Sequence, residues 1–329
     1  AGIISQGKVI ALVNYMAQIL VELIKMANLI ILISKAVACM RRVDSVFEIK
    51  SSIEEKTHEI KTRGAKSMED TTEKVSVETA KVEFDHVNFA YAGAKSDSLT
   101  DISFKAMKGQ TIGVIGGTGS GKSTLVNLIP RFYDVREGTV LIDGKDVKDL
   151  SLTDLRHAIG VVPQRAVLFK GTLRDNMRWG KEDASDEEIW QALDIAQARD
   201  FVEAKGEGLD LVIDQGGHNL SGGQRQRLTI ARALVRDPQI LIMDDSASAL
   251  DFATDARLRK AIRENTKDMT VFIVSQRATT IRNADTIMVL DDGKLAGMGS
   301  HKQLLKECDV YREICLSQLS KEEVERDEQ

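Results

Sequence analysis

Gly116-Gly117-Thr118-Gly119-Ser120-Gly121-Lys122-Ser123-Thr124 follows directly on the apolar run Thr111-Ile112-Gly113-Val114-Ile115. A strand that ends in a glycine loop and opens a helix is a phosphate cradle. Backbone N–H groups can converge on an anion only where side chains are absent, which Gly116, Gly119 and Gly121 provide. The spacing G-x-x-x-x-G-K-[ST] places Lys122 at the β- and γ-phosphates and the Ser123 hydroxyl on Mg²⁺. The helix that follows adds its positive N-terminal end. The length of the motif and its strand–loop–helix setting separate it from a chance glycine loop, and they point to an α/β core of the P-loop type.

Working outward, the chain has 329 residues, enough for one or two domains. Its net charge of -5, from 45 basic and 50 acidic residues, gives no electrostatic case for nucleic acid. Cys39, Cys308 and Cys315 form no C-x-x-C pair and are read as reduced thiols in a cytoplasmic setting. The chain opens on Ala1 without an initiator methionine and is read as a piece of a longer polypeptide.

Val9 to Met40 is strongly apolar, interrupted by Glu22, Lys25 and Lys35. The longest uncharged run, Val9–Val21, falls short of the roughly 20 residues of a membrane span, so hydropathy alone leaves a spanning helix and a soluble amphipathic helix open. Helical geometry adds that Asn14, Gln18, Glu22, Lys25 and Asn28 share one face. One polar stripe on a greasy helix suits a bundle around a wet cavity, and a helix packed laterally on protein is the alternative. Glu22 and Lys25 can pair at i,i+3. Lys35, Arg41 and Arg42 put the C-terminal end in the cytoplasm.

The expected organisation is a membrane helix over 1–42, a charged linker over 43–80 that is helical at its start (Val43–Glu55), a compact domain over 81–319 and an acidic tail over 320–329 that frays. Strands are expected at Val82–Phe89 and Leu99–Ala106. Ile240-Leu241-Ile242-Met243-Asp244 reads as a buried parallel strand that delivers Asp244 to the sheet edge where ligands bind, there to hold Mg²⁺ through water. Leu220-Ser221-Gly222-Gly223-Gln224 precedes a helix expected over Arg225–Val235. Two glycines after a serine expose backbone donors at a helix start, a second anion site. One phosphate loop does not need two such sites, so the second is read as serving the nucleotide of another subunit.

Together these segments resemble the ATP-binding cassette (ABC) transporters of the exporter type, in which membrane and nucleotide-binding domains are fused. The resemblance covers essentially the whole chain, and the phosphate loop combined with Leu220–Gln224 is its most specific element. It implies an α/β P-loop NTPase with a RecA-like core, an antiparallel β subdomain and a helical signature subdomain, preceded by one long, mainly transmembrane helix. It implies ATP and Mg²⁺ as cofactors, with Tyr91 stacking on adenine and Gly116, Gly117, Thr118, Gly119, Ser120, Gly121, Lys122, Ser123 and Thr124 around the phosphates. Gln164, after Val161-Val162-Pro163, would join Ser123 and Asp244 at Mg²⁺ and sense the membrane domain. Leu220, Ser221, Gly222, Gly223 and Gln224 would close a partner's ATP site, and Ser248, Ala249, Leu250 and Asp251 would cross the dimer interface. The first segment resembles the last of six membrane helices, so the chain would be the C-terminal part of a multi-pass plasma-membrane subunit with its nucleotide-binding domain in the cytoplasm. The implied partners are a second exporter half, the lipid bilayer and a transported small molecule, lipid or peptide.

The chain departs from that pattern at the terminal phosphate. Where hydrolytic members carry a Glu after the Mg²⁺-binding Asp, this chain has Asp245, one methylene shorter. Where they carry a His, it has Gln276, which donates a hydrogen bond but neither carries charge nor shuttles a proton. A general base contributes roughly 10²–10⁴-fold, so the expectation is a site that binds ATP and cleaves it slowly. Asp214-Gln215 also stand where exporters usually carry Gly-Glu. The signature pentapeptide is intact, which resembles one half of a heterodimeric exporter with unequal sites. A homodimeric exporter with slow hydrolysis and a soluble ABC ATPase outside transport are the alternatives.

Overall fold

The computed structural model describes residues 5–48, 53, 79–246, 249–266 and 268–328. Residues 1–54 and 55–329 form two separate compact units.

The first unit is a single helix, α1 (Gln6–Phe47). At 1.5 Å per residue its 42 residues reach about 63 Å, and it is long and apolar enough to cross a membrane. It continues past residue 42 into the expected linker, so helix and linker start are one element. The rest of the helical stretch expected to Glu55, and most of the linker, lie outside the described residues. Over its full length α1 has no consistently apolar side. The stripe from Asn14 to Asn28 is therefore local, and within it Lys25 Nζ donates to Glu22 Oε1 at 2.7 Å.

The second unit starts with β1 (Val82–Phe89), β2 (Leu99–Ala106), β3 (Thr111–Gly116), α2 (Lys122–Leu128), β4 (Glu137–Ile142) and β5 (Lys145–Asp146). Then come α3 (Leu152–His157), β6 (Ile159–Val162), β7 (Gly171–Thr172), α4 (Leu173–Arg178), α5 (Asp186–Ile195), α6 (Arg199–Lys205), β8 (Val212–Ile213) and α7 (Gly222–Leu234). The chain ends through β9 (Ile240–Asp244), α8 (Phe252–Asn265), β10 (Thr270–Val274), α9 (Ala278–Ile281), β11 (Thr286–Asp291), β12 (Lys294–Gly299), α10 (His301–Glu307), α11 (Asp309–Gln318) and α12 (Lys321–Glu328).

An antiparallel sheet, β2-β1-β4-β5, packs on a mixed sheet, β12-β11-β3-β10-β9-β6, which is parallel except for β12. The period-2 alternation of side chains explains the two cores. Ile240 and Ile242 of β9 and Phe272 and Val274 of β10 face the antiparallel sheet, where Phe84 stacks on Phe104 at 4.6 Å. Leu241, Met243, Val271 and Ile273 face the helices on the other side. A strand buried on both faces has no polar alternation, which is why Ile240–Met243 is wholly apolar.

The C-terminal segment does not fray. It forms α12, with Val324 1% exposed. Arg312 pairs with Glu328 at 3.0 Å, and His301 Nε2 lies 3.4 Å from Asp327. Its acidic composition signalled a solvated tail, but one buried valine and the Arg312 and His301 side chains of the preceding helices give it a place to dock.

Candidate nucleotide site

Four adjacent parallel strands, β3, β10, β9 and β6, end at the same edge of the sheet. In that order they deliver Gly116, Ser275–Gln276, Asp244–Asp245 and Gln164. Register makes this convergence tight: Val274 pairs with both Val114 and Asp244, and Asp245 N donates to Val274 O at 2.9 Å. Carboxyl ends of parallel strands are where open α/β sheets bind ligands. Here Tyr91, Thr118, Lys122, Ser123, Gln164, Asp244, Asp245 and Gln276 line one cleft of about 580 Å³.

The phosphate loop is fixed from below by glycine. A Cβ on Gly116 would lie 2.1 Å from Leu290 O, and Gly121, at φ 95°, would meet Ser98 O at 2.9 Å. Gly117 and Gly119 have open space where a Cβ would stand, and Gly119 lines the cleft. Lys122 Nζ donates to the carbonyls of Gly116 (2.9 Å) and Gly117 (2.6 Å), folded back over its own loop. Burial holds its ammonium below the ordinary lysine value, against the raising pull of Asp245 and Asp244.

Ser123 Oγ donates to Asp244 Oδ1 at 3.0 Å. Burial pushes the Asp244 carboxyl above the ordinary aspartate value, and the Ser123 hydrogen bond offsets this in part. Asp245 lies at φ 43°, and its Oδ2 accepts from Gln164 Nε2 at 3.3 Å. Burial raises its pKa as well, opposed first by that Gln164 contact. Tyr91 is half-exposed, its hydroxyl 3.0 Å from Thr124 Oγ1 and its ring edge-on to Tyr133 at 5.2 Å.

The signature segment has a different construction. α7 begins at Gly222, three residues earlier than expected, with Ser221 as N-cap. Gln224 N donates to Ser221 Oγ at 3.3 Å while Gln224 Oε1 accepts from Ser221 N at 2.9 Å, a capping box. The amide of Gln224 is thus spent inside the loop, whereas the N–H groups of Gly222 and Gly223 have no intrahelical carbonyl to bond. Leu220 is buried, and Arg225 Nη1 donates to its carbonyl at 2.7 Å. Gly223 lies beside the expected interface loop: a Cβ there would be 3.3 Å from Ala249 O. In that loop Leu250 is buried and Asp251 caps α8 by accepting from Thr254 N at 2.9 Å, while Ser248 lies outside the described residues.

Sequence reasoning missed the cleft's second wall, Ser96, Asp97, Ser98, Asp292 and Gly293. Gly293 O accepts from Thr100 N at 2.8 Å, and Gly293 N donates to Ser120 O at 3.3 Å, so the β11–β12 turn buttresses the phosphate loop. The Asp292-Gly293 pair is a turn signal that could have located it.

This sheet edge, with its glycine loop and second helix-start loop, defines an α/β P-loop ATPase domain of the ABC type. Residues 99–248 match the ABC transporter family, and the chain carries an ABC transporter ATP-binding domain homologous to fused permease/ATP-binding exporters. It is 41% identical over 317 residues to an uncharacterised ABC transporter ATP-binding protein, YfiB, of Bacillus subtilis (strain 168), covering 96% of this chain and 52% of that protein. It is 42% identical over 240 residues to an ATP-dependent lipid A-core flippase of Haemophilus influenzae (strain 86-028NP), covering 73% and 41%. The solved structure of a bacterial Atm1-family ABC exporter with ATP bound superposes with a TM-score of 0.70 at 39% identity, over 73% of this chain and 42% of that one. The chain thus spans about half, or less, of the length of these relatives.

Proposed function

We propose that this chain is the C-terminal part of one half of a heterodimeric ABC exporter, whose own cleft binds ATP and cleaves it slowly while its signature loop completes the competent site of a partner. The observation that carries the reading is the pair of substitutions at the γ-phosphate end of the cleft. Asp245 is one methylene short of a glutamate and is held by Gln164 at 3.3 Å. Gln276 supplies an uncharged amide where hydrolytic relatives place a histidine. A base must stand within hydrogen-bond reach of the attacking water, and a carboxylate one methylene short and held by Gln164 stands back from it.

In this reading Tyr91 stacks on adenine, the loop from Gly116 to Thr124 surrounds the phosphates, and Lys122 exchanges its two carbonyl partners for phosphate oxygens. Ser123, Asp244 and Gln164 form an all-oxygen donor set suited to Mg²⁺. When bound, Mg²⁺ neutralises phosphate charge. ATP bridges the two cassettes and closes them, and closure draws α1 with the rest of the membrane bundle toward an outward-open arrangement. Hydrolysis at the competent site releases that bridge, while ATP stays on at this one.

The surface beyond Gln164 supports contact with a membrane domain. The rings of Phe169 and Trp179 meet at 4.8 Å, tilted by 32°, and are 43% and 69% exposed, near exposed Val167. An apolar step of this kind marks an interaction surface. The test is ATP turnover by the full-length subunit alone and with its partner. The expected result is slow turnover alone and brisk turnover in the pair; brisk turnover by the lone subunit overturns the unequal-site reading.

A further inference from the structure

Gln276 sits in a three-residue connection between β10 and α9 and lines the cleft. A residue there can contact a terminal phosphate reproducibly only if the backbone on both sides is held. Upstream, Ser275 N donates to Val114 O at 3.0 Å, and Ser275 Oγ accepts from Arg277 N at 3.0 Å. Downstream the connection needs help, because the N-cap of α9 is Arg277, which makes no side-chain cap. The Arg277 guanidinium lies instead over the Phe252 ring at 5.7 Å.

The missing cap comes from 40 residues further along the chain. Gln318, the last residue of α11, accepts at Oε1 from Ala278 N at 2.9 Å and donates from Nε2 to Gln276 O at 2.7 Å. One amide thus grips the connection on both sides of Arg277. The orientation is fixed by chemistry, since only this one sets donor against carbonyl and acceptor against N–H. α11 is itself anchored: Tyr311 is fully buried with its hydroxyl 2.7 Å from His301 Nδ1, Cys315 is buried, and α12 docks alongside through Val324.

We infer that Gln318 is a positioning residue for the γ-phosphate contact, through which the C-terminal helices hold Gln276 at the cleft. The inference rests on the reading of Gln276 as that contact. Gln318 touches no nucleotide, so its removal loosens Gln276 without altering the adenine or β-phosphate contacts. It separates triphosphate from diphosphate, which a general loss of fold would not do.

The experiment is equilibrium binding of adenylyl imidodiphosphate and of ADP to the full-length subunit. Gln318→Met keeps length and packing and removes both hydrogen bonds. It is expected to weaken the triphosphate analogue about fivefold to tenfold, the size of one or two net hydrogen bonds, and to leave ADP affinity within about twofold. Gln276→Ala is expected to produce the same selective loss, and the double variant to be no weaker than Gln276→Ala alone, because the two residues act as a unit. Equal weakening of both nucleotides by Gln318→Met, or additive losses in the double variant, overturns the positioning role. If Gln276→Ala leaves the triphosphate affinity unchanged, the γ-phosphate reading of Gln276 falls, and the role of Gln318 falls with it.

Discussion

The cleft beyond β3 and the loop that opens α7 both offer backbone N–H groups at a helix start, yet their surroundings differ. The cleft gathers two carboxylates whose pKa values burial raises and an ammonium whose pKa burial lowers. Burial disfavours the charged form of all three, and on the proposed reading a triphosphate and a cation would offset that cost. The α7 loop is self-sufficient. Ser221 and Gln224 satisfy each other, and what remains are the N–H groups of Gly222 and Gly223, which have no intrahelical carbonyl to bond. On the proposed reading, one site is unfinished within its own chain and departs from hydrolytic relatives at Asp245 and Gln276. The other needs nothing further from this chain and keeps its sequence intact, as expected of a loop that serves a different nucleotide.

The strongest way to break that contrast is to repair the altered end. Asp245→Glu with Gln276→His is expected to raise ATP turnover of the lone full-length subunit by about 10²–10⁴-fold, the range of a restored base. Phosphate-release kinetics measure it. Turnover already brisk before repair would abolish the difference between the two loops.

Damage to the other loop comes next. Ser221→Ala removes the N-cap acceptor, costs the start of α7 about 1 kcal/mol and disturbs two outward donors. In the assembled pair, turnover is expected to fall about 10²-fold, as when one preorganised donor is misplaced. ATP affinity at this chain's own cleft is expected to stay within about twofold. A loss of that affinity instead would mean that the α7 loop serves its own cleft.

A smaller effect probes the disfavoured charge itself. Asp244→Asn removes a buried negative charge and is expected to raise the melting temperature of the nucleotide-free chain, by about 2–4 °C for each kcal/mol relieved. The sign follows from linkage. The folded pKa of Asp244 lies above its unfolded value, so the folded state binds the proton more tightly, and stability falls as pH rises from the ordinary aspartate value through the folded one. The gain from Asn should therefore be full at neutral pH and vanish as the pH is lowered toward 4. Thermal denaturation across pH tests this, and a gain that persists in acid would point to packing rather than charge.

Much of the cleft was legible because its chemistry is local in sequence. The phosphate loop, the apolar strand ending in Asp244 and the Leu220–Gln224 helix start each declare their residue types at fixed spacing. β1, β2 and β9 cover the residues expected of them. What the sequence did not declare were contacts made at long range. Gln318 reaches Gln276 from 42 positions away, and the Asp292–Gly293 turn lies against Ser120. Neither has a periodicity or motif that names its target. The docking of α12 was misread for the same reason: its composition is that of a solvated tail, and only a tertiary pocket for Val324 overrides it.

The last contrast is the faintest and concerns α1. The Glu22–Lys25 pair sits near the middle of the apolar stretch, 14 residues after Lys8 and 10 before Lys35. Ionisable residues within membrane-spanning helices are functional by default, whereas an i,i+3 pair on a solvent-facing helix contributes only about 0.2–0.5 kcal/mol. If the Asn14–Asn28 stripe lines a transport cavity, Glu22→Gln and Lys25→Met should change export of at least one charged substrate by about 1.4- to 2.3-fold, a loss of roughly that pair energy. Nucleotide affinity should be untouched. Transport assays across cationic, anionic and neutral substrates read the difference. Unchanged export of all of them would move the stripe from the cavity wall to a protein-packed face and leave the unequal nucleotide sites to stand on the cleft alone.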